Sequence, residues 1–392
     1  MKPRILPDEL LRELAAKHGT PLFVYSGAVI RERVRELAGF DRIRYAQKAN
    51  AYPPILRLLR SLGVVVDAVS AGELRQALEA GYAPDDIVYT ADLFDRRALE
   101  ALRSHPVPVN LGSDFMIEQY AALRESSGGP SSILLRINPG FGHGHARKVN
   151  TGGETSKHGI WHEQLTDCIR RAAHLGLHVR GIHLHIGSGT DFEHLVRVCA
   201  AMEKLCAQAS DCGARIEVIS AGGGLPIPYR EGEPRLDVQR YRAAWLETRQ
   251  RIAARVGNAV SLEVEPGRYL VAECGLLLTE VRGTKRSGSY RYAIVDAGFH
   301  NLIRPAMYGA YHQITALGQT GQSATSPQVV AGPLCESGDV FTVDSLGHLL
   351  PQALPELGCG DLLCIHDAGA YGASMSSTYN AQPLALEVLV DP

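Results

Sequence analysis

The chain has 392 residues, enough for two domains, and 45% of them are hydrophobic, enough for a large core. Its formal net charge is -2, with 40 Lys and Arg against 42 Asp and Glu and no basic run, which removes nucleic acid and anionic membrane as default partners. Eight cysteines are scattered without a CxxC pair, a pattern of reduced thiols rather than a disulfide framework. The opening residues, MKPRILPDELLRELAAKHG, are charged throughout and lack the apolar stretch of a signal peptide, and no segment has the apolar length of a membrane span. A soluble cytoplasmic protein is the expectation.

In chain order, TPLFVYSGAVIRERVREL predicts a short strand over 21–25 and then a helix. From Ile43 to Glu265 short β-rich runs alternate with amphipathic helical ones. The strands are RIRYAQKA, VVVDAVS, DIVYTA, VPVNLG, ILLRIN, VRGIHLHIG, IEVISAGG and VSLEVEPG. AGELRQALEAGY puts Leu74, Ala77 and Leu78 on one helical face and stops at Gly81, and residues 237–257 repeat the pattern. Eight strand–crossover units of this size predict a (β/α)8 barrel, with a doubly wound open sheet as the runner-up. After Gly267 the helical period fades. GLLLTEVRGTKRSGSYRYAIVDAG reads as strand, turn, strand, and DVFTVDSL and DLLCIHDAG continue in that style. The expected division is a barrel over 29–269 and a mostly β domain built from both termini, 1–28 and 270–392.

Chemistry on a barrel sits at the C-terminal ends of the strands. Lys48 ends the first strand, His185 and Ser188 the sixth, Gly222, Gly223 and Gly224 the seventh, and Glu265 and Arg268 the eighth. Any one of these is unremarkable, and a lone lysine is usually a solvated charge; the shared placement gives them weight. A lysine in an apolar mouth would have its amine pKa lowered by desolvation and could form a Schiff base. Three glycines let backbone N–H groups approach a phosphate, and Ser188 adds a hydroxyl near a helix start. Glu265 can hold a heterocyclic nitrogen protonated. Together they describe a site for pyridoxal 5'-phosphate. His183 and His185 form an HxH pair with no third ligand at sensible spacing, so His185 is read as an imidazole lying over the cofactor ring rather than as a metal ligand. His143 and His145 lie in a long glycine-rich loop after the fifth strand, and loops of that length are often functional. A metal hydrolase would lean on these four histidines.

The chain resembles the fold-type III pyridoxal-phosphate-dependent decarboxylases, and within them the diaminopimelate decarboxylases. YAQKAN, DAVSAGEL, NTGGETSKHGI, HLHIGSG, SAGGGLP, EPGRYLV, RPAMYGAYH, GPLCESGDVF and GAYGASMSSTYN occur in the family's order over nearly the whole length. The resemblance implies that Lys48 carries the cofactor, that His185 lies against its ring, and that Glu265 pairs with its pyridine nitrogen. It places Ser188, Gly222, Gly223, Gly224 and Tyr371 at the phosphate, and Arg268, Arg304, Tyr308 and Tyr371 around the substrate. Cys335, as proton donor, and Glu336, as partner of the distal ammonium, would come from the second subunit of a homodimer. The implied reaction turns meso-2,6-diaminopimelate into L-lysine and CO2, the last step of lysine biosynthesis. Another amino acid or a carboxy-polyamine such as carboxynorspermidine is the alternative substrate. A binding protein that had lost catalysis is a further alternative, but the chain keeps Lys48 and Cys335. Two arginines suit a distal carboxylate, which a diamine-forming ornithine or lysine decarboxylase would not need. Gln47 stands where many relatives carry a small apolar residue; strand alternation would turn it away from the Lys48 side.

Overall fold

A computed structural model describes residues 5–143, 150–188, 191–318 and 324–391. The chain divides into two compact units. One comprises Val34–Pro226 and Leu236–Gly267; the other comprises Met1–Arg33, Ile227–Arg235 and Arg268–Pro392.

The first unit is a closed parallel barrel. Its strands are β1 (Arg42–Ala46), β2 (Val65–Ala68), β3 (Ile87–Ala91), β4 (Val109–Leu111), β5 (Ser132–Asn138), β6 (His178–Leu184), β7 (Val218–Ser220) and β8 (Ser261–Val264). Neighbours in sequence pair in register around the ring, and β8 pairs β1 through Glu263↔Arg42 and Val264↔Ile43. That closure rules out the open doubly wound sheet. The helices start where side chains can cap them. Ser70, Asp95, Asp191 and Asp237 each accept a backbone N–H three residues on, opening Ala71–Glu79, Arg96–Ser104, Phe192–Asp211 and Val238–Val256. Gly257, left-handed at φ 74°, ends the last of these.

One local expectation fails at the end of β1. The strand stops at Ala46, and Gln47–Ala49 form a 3-10 turn. Gln47 is fully buried, and its Nε2 donates to the Glu73 carbonyl and to Gln76 Oε1, both at 3.1 Å. Strand alternation therefore does not apply there; Gln47 ties the turn to the helix Ala71–Glu79.

The second unit is built on a mixed sheet. Its strands run in the order Ile314–Ala316, Leu362–Ile365, Gly275–Ser287, Tyr290–Val295, Thr325–Ala331, Gln352–Pro355. Leu22–Ser26 pairs antiparallel with Gly275–Ser287 on one side and parallel with Leu386–Val390 on the other. Leu11, Leu22, Val24, Leu276, Leu278, Leu317 and Cys364 make its core. DVFTVDSL forms no full strand. It contributes two isolated bridges, Val340 to Ala331 and Val343 to Leu349, because Asp344 accepts the N–H groups of Leu346 and His348 and turns the chain. Among the described residues no helix is long and apolar enough to cross a membrane.

Candidate active site

Barrel interiors are usually filled by branched apolar side chains. Here buried polar residues occupy the strand ends: Asp67 on β2, Thr90 on β3, Asn110 on β4, Arg136 and Asn138 on β5, His183 on β6, Ser220 on β7 and Glu263 on β8. Register aligns several of them, with Arg136 opposite His183, His183 opposite Ser220 and Ser220 opposite Glu263. Burying so many polar groups is costly unless they are bonded to one another or to a ligand.

Glu265, one residue past β8, is the hub. Its Oε2 lies 2.8 Å from His183 Nε2, and its Oε1 accepts the Ser220 hydroxyl at 2.7 Å. Burial alone would raise this carboxyl. His183 by charge and hydrogen bond, the Ser220 hydroxyl and the Arg44 guanidinium outweigh it and hold Glu265 well below the usual carboxylate range. Arg44 itself is bound to Glu263 by Nε and a terminal nitrogen, at 3.0 and 2.9 Å.

His185 lies just past β6. Burial, and then the charges of Arg136, Lys48 and His183, push its imidazole well below its usual range, so it is neutral. Gly223 N–H donates to its Nδ1 at 3.2 Å, which puts the ring proton on Nε2. Gly222 N–H donates to Ser220 Oγ at 3.1 Å. Two of the three glycine amides thus hold the site together. A Cβ on Gly223 would lie 2.4 Å from the Glu265 carbonyl oxygen, and one on Gly222 2.1 Å from that of Leu184, so both must be glycine. Gly224 follows in the left-handed region at φ 92°. Ser188 is half-buried beside the Gly187–Asn150 bridge.

Lys48 is exposed on its 3-10 turn. It does not sit in an apolar mouth: the carboxyl groups of Asp67 and Glu73 face it. Asp67 is pushed up to about 6 by burial and then by Glu265, against the pull of Lys48 and the Thr90 hydroxyl. Burial pushes Glu73 up to about 7, with the Val69 N–H and Lys48 opposing. Asp67 Oδ1 is buried with no hydrogen-bond partner among the described residues.

The loop after β5 packs against the end of β6. His143 N–H and Thr151 N–H both reach the Ile186 carbonyl, at 3.1 and 3.2 Å. Asn138 holds the loop from inside through Gly140, Gly153 and His158. His158 pairs with Asp92. His145 lies outside the described residues.

In the second unit, Arg268 opens a short helix, Arg268–Val271, with its guanidinium 5.7 Å from the Tyr229 ring and 5.3 Å from the Tyr371 ring. Burial would lower it, but the hydroxyls of Tyr229, Tyr371 and Tyr308 keep it firmly charged. Tyr371 holds a left-handed backbone at φ 59°, a strained conformation that clusters at functional sites. Arg304 is buried at 2% exposure, 4.9 Å under the Tyr229 ring. Its guanidinium meets His312 Nε2 at 2.8 Å, and His312 Nδ1 donates to the His366 carbonyl at 2.7 Å. Tyr308 ends the helix that Arg304 begins. Among the described residues no carboxylate lies within ion-pair distance of Arg304. Cys335 is an exposed free thiol whose N–H is held by Asn380 Oδ1 at 3.0 Å, and Glu336 accepts the Tyr379 hydroxyl.

The barrel unit thus brings together Lys48, His185, Glu265 and the glycine turn. The second unit brings together Arg268, Arg304, Tyr308 and Tyr371, and separately Cys335 with Glu336. Sequence reading missed Ser220, Asp67, Tyr229 and His312, and weighed His183 only as a metal ligand. The HLH repeat was the available signal for His183, since alternate strand residues share a face.

These residues fit pyridoxal phosphate. Lys48 offers an accessible amine and His185 a neutral ring face. Each Glu265 oxygen, already bonded once, keeps a lone pair for a ring N–H. Residues 29–272 match the family described as pyridoxal-dependent decarboxylase, pyridoxal binding domain. The chain is 50% identical to the diaminopimelate decarboxylase of Escherichia coli K12, over 98% of this chain and 92% of that protein. It is 50% identical to that of Streptomyces coelicolor, over 99% of this chain and 88% of that one. A crystal structure of a diaminopimelate decarboxylase superposes with TM-score 0.92 at 49% identity, covering 98% of this chain and 91% of the other. The Helicobacter pylori diaminopimelate decarboxylase, solved with L-lysine, gives TM-score 0.88 at 31% identity, covering 97% and 94%. The chain belongs to the diaminopimelate decarboxylases, within the pyridoxal-dependent decarboxylase family.

Proposed function

We propose that this protein removes CO2 from meso-2,6-diaminopimelate and leaves L-lysine. Bound at Lys48, pyridoxal phosphate supplies an electron sink for the pair left on the substrate's α-carbon when CO2 departs. Glu265, held ionised by His183, Ser220 and Arg44, keeps a proton on the cofactor's ring nitrogen. His185 lays its neutral imidazole against the ring, and the Gly223 amide fixes its orientation. Ser188, the Gly224 end of the glycine turn and the Tyr371 hydroxyl receive the phosphate, since the Gly222 and Gly223 amides are already bonded to Ser220 and His185. Asp67 and Glu73 are the acids that face the Lys48 amine when substrate takes its place.

The observation that carries the substrate assignment is Arg304. A buried guanidinium without a carboxylate partner is an uncompensated charge, which proteins rarely tolerate. The distal carboxylate of diaminopimelate supplies the missing anion, with Arg268, Tyr308 and Tyr371 beside it in the same role. Cys335 returns a proton to the α-carbon, and Glu336 binds the distal ammonium. Both serve the partner subunit's site in a homodimer, and the enzyme works in the cytoplasm.

The test is an absorbance spectrum followed by CO2 detection. A visible band absent from Lys48→Ala, with CO2 released from meso-diaminopimelate and not from ornithine, is the expected result. A band without CO2 would point to a different substrate, a carboxy-polyamine such as carboxynorspermidine first. No band after adding cofactor would overturn the reading.

A further inference from the structure

Three donors outside the machinery described above converge on one point of the barrel unit. His143 lies on the loop after β5. Asp191 and His194 lie at the start of Phe192–Asp211, the helix after β6. One ligand atom from each falls within 4.8 Å of the others. His143 Nε2 is 3.3 Å from Asp191 Oδ2, and His194 Nδ1 is 2.8 Å from Asp191 Oδ1. The two imidazoles stack at 3.9 Å between centroids and 15° between planes.

Helix capping accounts for part of this. Asp191 is an N-cap that accepts the His194 N–H at 2.9 Å. It does not account for His143, which comes from a different β/α unit. The backbone that carries His143 is fixed independently. Its N–H reaches the Ile186 carbonyl at 3.1 Å, and the Arg197 guanidinium lies 4.3 Å over the neighbouring Phe141 ring. His143 is therefore set in place by contacts that do not depend on its own side-chain bond to Asp191, while the N-cap hydrogen bond fixes Asp191 and His194.

We propose that His143, Asp191 and His194 form a binding site for a divalent transition-metal ion, of the Zn2+ or Ni2+ class. Two imidazoles and a carboxylate are the donor set such ions prefer. Ligands about 2.1 Å from an ion lie roughly 3 Å apart, so the two imidazoles turn out of their parallel stack to aim their nitrogens at one ion. All three side chains are partly open to solvent, about half of the Asp191 side chain and a third of each imidazole, so water completes the shell. The ion joins His143, on the loop after β5, to the first turn of the helix Phe192–Asp211. It acts on the loop and takes no part in bond breaking.

The test is calorimetric titration of chelator-dialysed holoenzyme with ZnCl2 and with NiCl2. One site per chain is expected. His143→Ala, His194→Ala and Asp191→Asn should each weaken it about tenfold or more. Asparagine caps helices as well as aspartate, so Asp191→Asn should leave the melting temperature unchanged. Equal affinity in wild type and all three variants, or no binding to wild type, would overturn the proposal. Because the readout is metal binding and not turnover, neither result bears on the decarboxylase assignment.

Discussion

Arg304 and Glu265 are buried charges with opposite circumstances. Glu265 is surrounded by groups that keep it ionised, whereas Arg304 rests on a histidine and a tyrosine ring. Arg304→Ala should raise KM for diaminopimelate about 100-fold, the loss expected for a buried charge pair, with a smaller change in kcat; steady-state kinetics reads the split. Asp67 gives a pH prediction. Unfolded, an aspartate releases its proton near pH 4; folded, this one holds it to about 6. The native state binds more protons between those values. The stability from this group is therefore full below about pH 4 and is lost as pH rises through 6. Asp67→Asn should melt ~2–4 °C above wild type at pH 8 and show no gain at pH 4 in thermal scans. At this scale the sequence shows Lys48, His185 and Glu265, because each falls just past a recognisable strand. The His183–Glu265–Ser220 bonds are not legible in it. They depend on which strands meet when the ring closes, and no local pattern encodes that.

The short segments at the strand ends decide where chemistry can sit. The serine of the SAGE stretch, Ser70, caps its helix through the Glu73 N–H, while the Glu73 carboxylate takes the Val69 N–H at 2.8 Å. Ser70→Ala should cost about 1 kcal/mol in a denaturant melt. It should also loosen Glu73 beside Lys48. At the β7 turn, Gly223→Ala drives a methyl into the Glu265 carbonyl and breaks the bond that orients His185. Activity should fall far more than melting temperature does, about 100-fold or more if the ring is displaced by an ångström. The caps and stops of these elements can be read directly, since Ser, Asp and Gly act over three or four residues. The turn at Gln47–Ala49 cannot. RIRYAQKA carries no Gly or Pro to mark the strand end, and the bonds from the Gln47 amide to Glu73 and Gln76 join residues 26 and 29 positions apart.

For the whole molecule, the proposed exchange of Cys335 between subunits makes a mixing experiment decisive. Lys48→Ala and Cys335→Ala should each be inactive, and mixed and allowed to exchange they should recover about a quarter of wild-type activity. Half of the dimers are hybrid, and each hybrid holds one intact site. No recovery would return Cys335 to its own subunit. The closed barrel is legible from eight alternating units. The membership of Ile227–Arg235 in the second unit is not, although it delivers Tyr229 to both arginines. The place of Leu22–Ser26 between Gly275–Ser287 and Leu386–Val390 has its own consequence. During synthesis the barrel strands all emerge before the partners of this early strand exist. While still on the ribosome, the chain can therefore have a closed barrel while an early apolar strand waits for its neighbours. Contacts this distant in sequence form slowly. A message truncated shortly before residue 386 would leave one side of Leu22–Ser26 as an open edge, which invites pairing with other chains. Cellular quality control should act on this protein through the pairing of Leu22–Ser26 with Leu386–Val390.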